Sequence, residues 1–168
     1  MRALLISSDQ FQDRELTEPL QQLQAKGVNV VIATPLPGVI TGMHGAQVES
    51  HLVLDAVQPS YYDLLLLPGG KAPASLRYNS QAVAIGRYFL EHNKLVAAIC
   101  HGPQILLPTG LLAGRSATCY RDMADELQAA GVNYLDREVV VDGNLITSRQ
   151  PADIPAFLRG IFTALGLE

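Results

Sequence analysis

Cys100 lies in the run Ala98-Ile99-Cys100-His101-Gly102, with one small residue two places before the thiol and another two places after it. That spacing suits a nucleophile elbow, a strand-to-helix turn too sharp for bulky neighbours, carrying cysteine where the more familiar motif has serine. A thiol at such a turn faces the amino end of the next helix, whose unpaired N–H groups stabilise an anion. The sequence therefore predicts a thiol pKa below the free value of about 8.5. His101 follows the thiol directly. Its backbone N–H and that of Gly70, which follows Gly69, form a candidate oxyanion hole.

Glu15 is the second reactive group. It adjoins Leu16 at the edge of an apolar helical stripe, which aims its carboxyl group toward a cleft and toward Cys100. Protonated, it donates to the thiolate; ionised, it raises the thiol pKa. Each residue taken singly has an ordinary structural use: cysteines pack, a first-turn glutamate serves the helix dipole, and glycine pairs turn the chain. Chemistry is favoured because thiol, imidazole, acid and glycines all fall just after strands, at the sheet edge where open parallel sheets bind ligands.

Cys119 has no glycine elbow after it and reads as core, whereas Tyr120 beside it is a candidate pocket residue. His44, His51 and His92 are dispersed, and neither Cys-x-x-Cys nor His-x-x-x-His occurs, so no metal site and no cofactor are expected.

The elements that must position these groups read as alternating strands and helices. Arg2 to Ser7 is an apolar strand, followed by a helix through Leu16, Leu20 and Leu23 that ends at Gly27, then a strand over Val28 to Ala33. Val39 to Gly42 with Gln47 to Glu49 reads as a small hairpin excursion. Asp63 to Leu67 is a strand buried on both faces, and Asn79 caps a helix carrying Ala82, Ile85 and Phe89 inward. Leu95 to Ile99 leads into a helix containing Ile105, Leu106 and Leu107. Ser116 to Cys119 reads as a strand, Asp122 to Ala130 as a helix, and Glu138 to Val141 with Leu145 to Ser148 as a hairpin over Asp142-Gly143. Ile154, Phe157, Leu158, Ile161, Phe162 and Leu165 form the stripe of a last helix. The pattern predicts an α/β fold, a flavodoxin-like three-layer sandwich with a mostly parallel central sheet.

With 168 residues, 48% of them hydrophobic, the chain fits one domain, 1–168, with a substantial core. The net charge is −4 and the 12 Lys and Arg residues are scattered, which argues against nucleic acid as a partner. No apolar run approaches the roughly 20 residues of a bilayer helix, so no membrane association is expected. No export signal is read, and the expected location is cytoplasmic.

The same residues resemble the PfpI-type intracellular cysteine peptidase family, part of the class I glutamine amidotransferase-like superfamily of stress proteins and deglycases. The likeness rests on Ala98-Ile99-Cys100-His101-Gly102-Pro103, Leu67-Pro68-Gly69-Gly70 and Asp13-Arg14-Glu15-Leu16. Thr41-Gly42-x-His44-Gly45, Val139-Val140-Val141-Asp142-Gly143-Asn144 and Ser148-Arg149-x-Pro151-Ala152-Asp153 agree in order, and the match covers nearly the whole chain. The resemblance implies nucleophile Cys100, neighbouring His101, acid Glu15, a homodimer or higher homo-oligomer, and stress-related roles. It also implies, in peptidase-like members, an acid lent by a neighbouring subunit; the position that matches it here is Ala74. With no carboxylate identified to orient His101, the peptidase reading falls behind.

The leading expectation is thus a cofactor-free thiol enzyme of hydrolase or glyoxalase-deglycase type, acting on small carbonyl compounds or glycated groups. Its parts are Cys100 as nucleophile, Glu15 as proton shuttle, Gly70 and His101 N–H groups at the oxyanion, and Gly69 and Tyr120 around the substrate. The alternatives are a cysteine peptidase acting on peptide or protein substrates, and a non-enzymatic redox sensor or chaperone that oxidises at Cys100. A glutaminase is argued against because no histidine follows His101. A flavin carrier is argued against because the loop Ser7-Ser8-Asp9-Gln10-Phe11 has no glycine for cradling phosphate.

Overall fold

The computed structural model describes residues 1–167. The chain alternates strands and helices: β1 (Arg2–Ile6), α1 (Asp13–Ala25), β2 (Asn29–Thr34), the hairpin β3 (Val39–Thr41) and β4 (Gln47–Glu49), and a short β5 (Leu52–Val53). It continues through β6 (Leu64–Leu67), α2 (Ala72–Leu76), α3 (Ser80–Glu91) and β7 (Leu95–Ile99) to β8 (Ser116–Ala117), α4 (Ala124–Ala129) and β9 (Asn133–Tyr134). β10 (Val139–Asp142), β11 (Leu145–Ser148) and α5 (Ile154–Leu165) close it.

The main sheet runs β10-β11-β7-β6-β1-β2-β5, parallel throughout except for the antiparallel edge strand β10. Helices flank it in a three-layer sandwich, with α1 packed beside α5 and α3 against β7. All four leucines of β6, and Val96 to Ile99 of β7, are fully buried, as central strands covered on both faces must be. α5 lays its predicted stripe inward through Ile154, Phe157, Leu158 and Ile161.

From β1 the chain first adds β2 and β5 on one side, then crosses back to add β6 and β7 on the other. The change of direction opens a crevice between the carboxyl ends of β1 and β6, where ligands bind in open parallel sheets. In register, Leu5 lies opposite Leu66, and Leu67 opposite Ala98. The segments after β1, β6 and β7 are therefore neighbours.

Three local expectations need correction. The chain after the elbow is not an α-helix but two short 3₁₀ turns, Gly102–Ile105 and Leu107–Thr109; Pro108 has no N–H to give to the Gln104 carbonyl, as a continuing helix would require. The Ser116 strand stops at Ala117 and pairs with β9 in a separate two-stranded parallel ribbon. The Asp122 helix begins at Ala124, with Arg121–Met123 a 3₁₀ turn before it. Helix α2 has no counterpart in the sequence reading.

Candidate active site

Cys100 follows β7 with φ of 63°, one of three non-glycine residues in the left-handed region among the described residues. A side chain held there costs on the order of 1–3 kcal/mol, and the surroundings fix it. Its N–H donates to the Ser148 carbonyl of β11 at 3.0 Å, and its carbonyl accepts from Tyr120 N–H at 3.0 Å. The spacing of small residues has a direct cause. A Cβ on Gly102 would strike the Leu67 carbonyl oxygen, and a Cβ on Gly69 would come within 2.6 Å of both the Cys100 Cβ and Glu15 Oε1.

Glu15 is fully buried. Its place on α1 is set by Gln12, whose side chain caps the helix by accepting from Glu15 N–H at 3.0 Å. A glutamate at this third helical position commonly reaches back to the cap residue's N–H. Here Gln12 N–H donates instead to the Gly69 carbonyl at 3.1 Å, and Gly69 N–H donates to Glu15 Oε1 at 2.9 Å. The reciprocal pair ties the carboxyl group to the β6 loop and leaves Oε2 buried with no oxygen or nitrogen partner. The Cys100 side chain lies beside the same carboxyl group, with Gly69 against both.

Burial pushes the Glu15 carboxyl up to about 7, against the lowering effect of the Gly69 N–H and the Cys100 side chain. It also pushes the Cys100 thiol up, and the Glu15 charge adds to that. The expected low-pKa thiolate is therefore corrected. A four-residue 3₁₀ turn supplies little macrodipole, and desolvation outweighs the N–H groups of Gly70 and His101 that converge on the sulfur. Acid and thiol titrate as one pair.

His101 joins from the other side. Its Nδ1 lies 3.3 Å from Cys100 Sγ, and its Nε2 lies 2.7 Å from Asp122 Oδ1. The Tyr120 ring sits against the imidazole at a centroid distance of 5.1 Å. Asp122 corrects the expectation that nothing orients His101. The sequence reading took it as the start of a helix, and no spacing motif links it to the elbow; the bond from Tyr120 N–H to the Cys100 carbonyl is what brings that segment alongside.

These groups line a cavity of about 600 Å³, within the range of small-molecule sites. Glu15, Gly70, Cys100, His101, Tyr120 and Asp122 face it, and Met43, His44, Lys71 and Ala74 belong to its wall. Gly69, expected around the substrate, is not among the lining residues: its N–H donates to Glu15 Oε1. Cys119 is fully buried outside the cavity. Among the described residues no cluster of His, Cys, Asp or Glu could hold a metal ion, and no helix is long and apolar enough to cross a membrane.

Residues 1–164 match the model of the DJ-1/PfpI family. The chain belongs to the DJ-1/PfpI family. Among curated members of this family, a Pyrococcus furiosus protein named deglycase PfpI is 47% identical over 159 residues, covering 95% of this chain and 96% of its own. An Escherichia coli protein named protein/nucleic acid deglycase 2 is 39% identical over 167 residues, covering 98% and 96%. A solved two-domain protein from Anabaena variabilis, with DJ-1/ThiJ/PfpI-like and ferritin-like domains, superposes with a TM-score of 0.97 at 34% identity; the match covers 99% of this chain and 50% of that one. Oxidised DJ-1 from Toxoplasma gondii shares the fold, with a TM-score of 0.89 at 24% identity over 98% of this chain. The DJ-1/PfpI membership and the flavodoxin-like sandwich agree with the sequence expectation.

Proposed function

We propose that this chain is a cofactor-free deglycase-type enzyme that uses Cys100 as nucleophile on reactive carbonyls or glycated groups, and so protects against carbonyl stress. One observation carries the reading: a single thiol on a cavity wall is met by a buried carboxyl group, an imidazole at 3.3 Å and two converging backbone N–H groups. The names of the Pyrococcus and Escherichia relatives support it. We take the whole chain as one unit, a cytoplasmic homodimer or larger homo-oligomer. With a net charge of −4 and scattered cations, it is suited to small carbonyls and glycated peptide groups more than to nucleic acid.

For a 2-oxoaldehyde the steps balance without an external oxidant. The sulfur adds to the aldehyde carbon, its proton passes to a neighbouring base, and the Gly70 and His101 N–H groups hold the developing oxyanion. Glu15 as carboxylate removes the hydrogen from that carbon and returns a proton to the adjacent carbonyl carbon, while the proton taken from the sulfur ends on that carbon's oxygen and frees the base. One carbon is oxidised as its neighbour is reduced, leaving a 2-hydroxyacyl thioester. Water cleaves the thioester, giving a 2-hydroxy acid and the free thiol. When the aldehyde arrives masked as a hemiaminal on an amine, release of the amine regenerates it.

The test is turnover of methylglyoxal, and of a methylglyoxal-treated N-acetylated amino acid, by the purified protein. Cys100→Ser and Glu15→Gln should each lose at least about a hundredfold in rate. A Cys100→Ser protein with unchanged turnover would end the proposal.

A further inference from the structure

We infer that Asp122 positions His101 from within the same chain, completing a Cys100–His101–Asp122 line that needs no acid from a second subunit. The inference deepens the proposed thiol chemistry and rests on it.

Three connected observations support it. His101 Nε2 lies 2.7 Å from Asp122 Oδ1, a short distance for a nitrogen–oxygen hydrogen bond and typical of a charged partner. A carboxylate only accepts, so Nε2 must carry the hydrogen, and in the neutral ring the Nδ1 lone pair is left facing Cys100 Sγ at 3.3 Å. That is the tautomer needed to accept a proton on the sulfur side. The Asp122 segment is also anchored to the nucleophile itself. Tyr120 N–H donates to the Cys100 carbonyl at 3.0 Å, and Met123 N–H closes the 3₁₀ turn on the Tyr120 carbonyl at 3.0 Å. Backbone bonds thus hold the segments carrying sulfur, imidazole and carboxylate side by side. Ala74, on the same cavity wall, brings no charge to compete for His101.

The step most dependent on this line is cleavage of the thioester. Water must lose a proton as it attacks the acyl carbon, and imidazole Nδ1 accepts it. The resulting imidazolium is stabilised by Asp122, then returns its proton to the departing sulfur. Glu15 is placed for the carbon-bound proton and does not replace this function. The Asp122 side chain is 61% exposed, so its loss costs less than a buried triad acid would.

The test compares Asp122→Ala and Asp122→Glu with the wild type under steady-state and rapid-mixing conditions with methylglyoxal. We expect Asp122→Ala to lower kcat about 10- to 100-fold with KM changed by less than about threefold. It should show a first-turnover burst, with a hydroxylamine-cleavable adduct on Cys100. Asp122→Glu should recover most of kcat. Unchanged kcat in Asp122→Ala, or a loss without any burst and equal in the Glu variant, would overturn the inference. Cys100→Ser in the same assay separates the two claims: an active Cys100→Ser protein sinks the function, while an inactive one beside a fully active Asp122→Ala sinks only this role.

Discussion

The Glu15 carboxyl group and the Cys100 thiol, one on α1 and the other just after β7, lie side by side across Gly69 in a site where burial favours the protonated form of both. Nucleophilicity then depends on who takes the sulfur's proton. Two acceptors are in place, the Glu15 carboxylate formed above about pH 7 and His101 Nδ1. We expect the form that has lost one of the pair's two protons to be the reactive one.

Glu15 should cost stability while supporting activity. Its folded pKa, about 7, lies above its ordinary 4.5, so between these values the folded state binds more protons than the unfolded one. Stability from this group is therefore fully present below about pH 4.5, falls as pH rises, and is lost above about pH 7. Glu15→Gln should be more stable than wild type by about 2–3 kcal/mol at about pH 8, with the difference vanishing in acid. Urea unfolding at the two pH values measures this; equal stability at both would contradict the burial argument.

Gly69→Ala should disturb the site more than the fold. The new Cβ would meet Cys100 Cβ and Glu15 Oε1 at 2.6 Å and His101 N at 2.9 Å, forcing acid and thiol apart. We expect a loss of about 1–3 kcal/mol in stability and at least about tenfold in kcat/KM. Wild-type kinetics in this variant would show that the contact between acid and elbow is not needed.

The two cysteines should differ sharply in reactivity. Cys119 is fully buried and its thiol is pushed up to about 12, by burial first and then by the charges of Asp122 and Glu126. Iodoacetamide on the native protein, and mild peroxide, should modify Cys100 first by mass spectrometry. Cys119→Ala should keep turnover within about threefold of wild type. Faster labelling at Cys119 would remove the special status of the elbow thiol.

Much of this was legible in the residues. The fully apolar β6 and β7, the stripe of α5 and the small residues around Cys100 each encode packing that depends on near neighbours in sequence. Glu15 was legible as well, since its place beside Leu16 fixes which way the first helix turns. Asp122 was not: its partnership arises from a backbone bond between Tyr120 and the Cys100 carbonyl, which leaves no spacing to read. The thiol's ionisation was misread for a related reason. The helix-dipole argument assumed an α-helix after the elbow, whereas the chain makes 3₁₀ turns interrupted at Pro108, and desolvation wins. Gly69 was identified but misplaced, because glycine at a turn does not reveal which partner its N–H serves.

The most direct test of the central claim is the pH dependence of Cys100 alkylation by iodoacetamide, followed by mass spectrometry in wild type and Glu15→Gln. The account predicts a wild-type rate that climbs through about pH 7, as Glu15 becomes able to take the sulfur's proton. In Glu15→Gln that limb should fall to the share that His101 Nδ1 can accept, with the remaining reactivity rising only in the alkaline range. The same neutral limb in both proteins would contradict it.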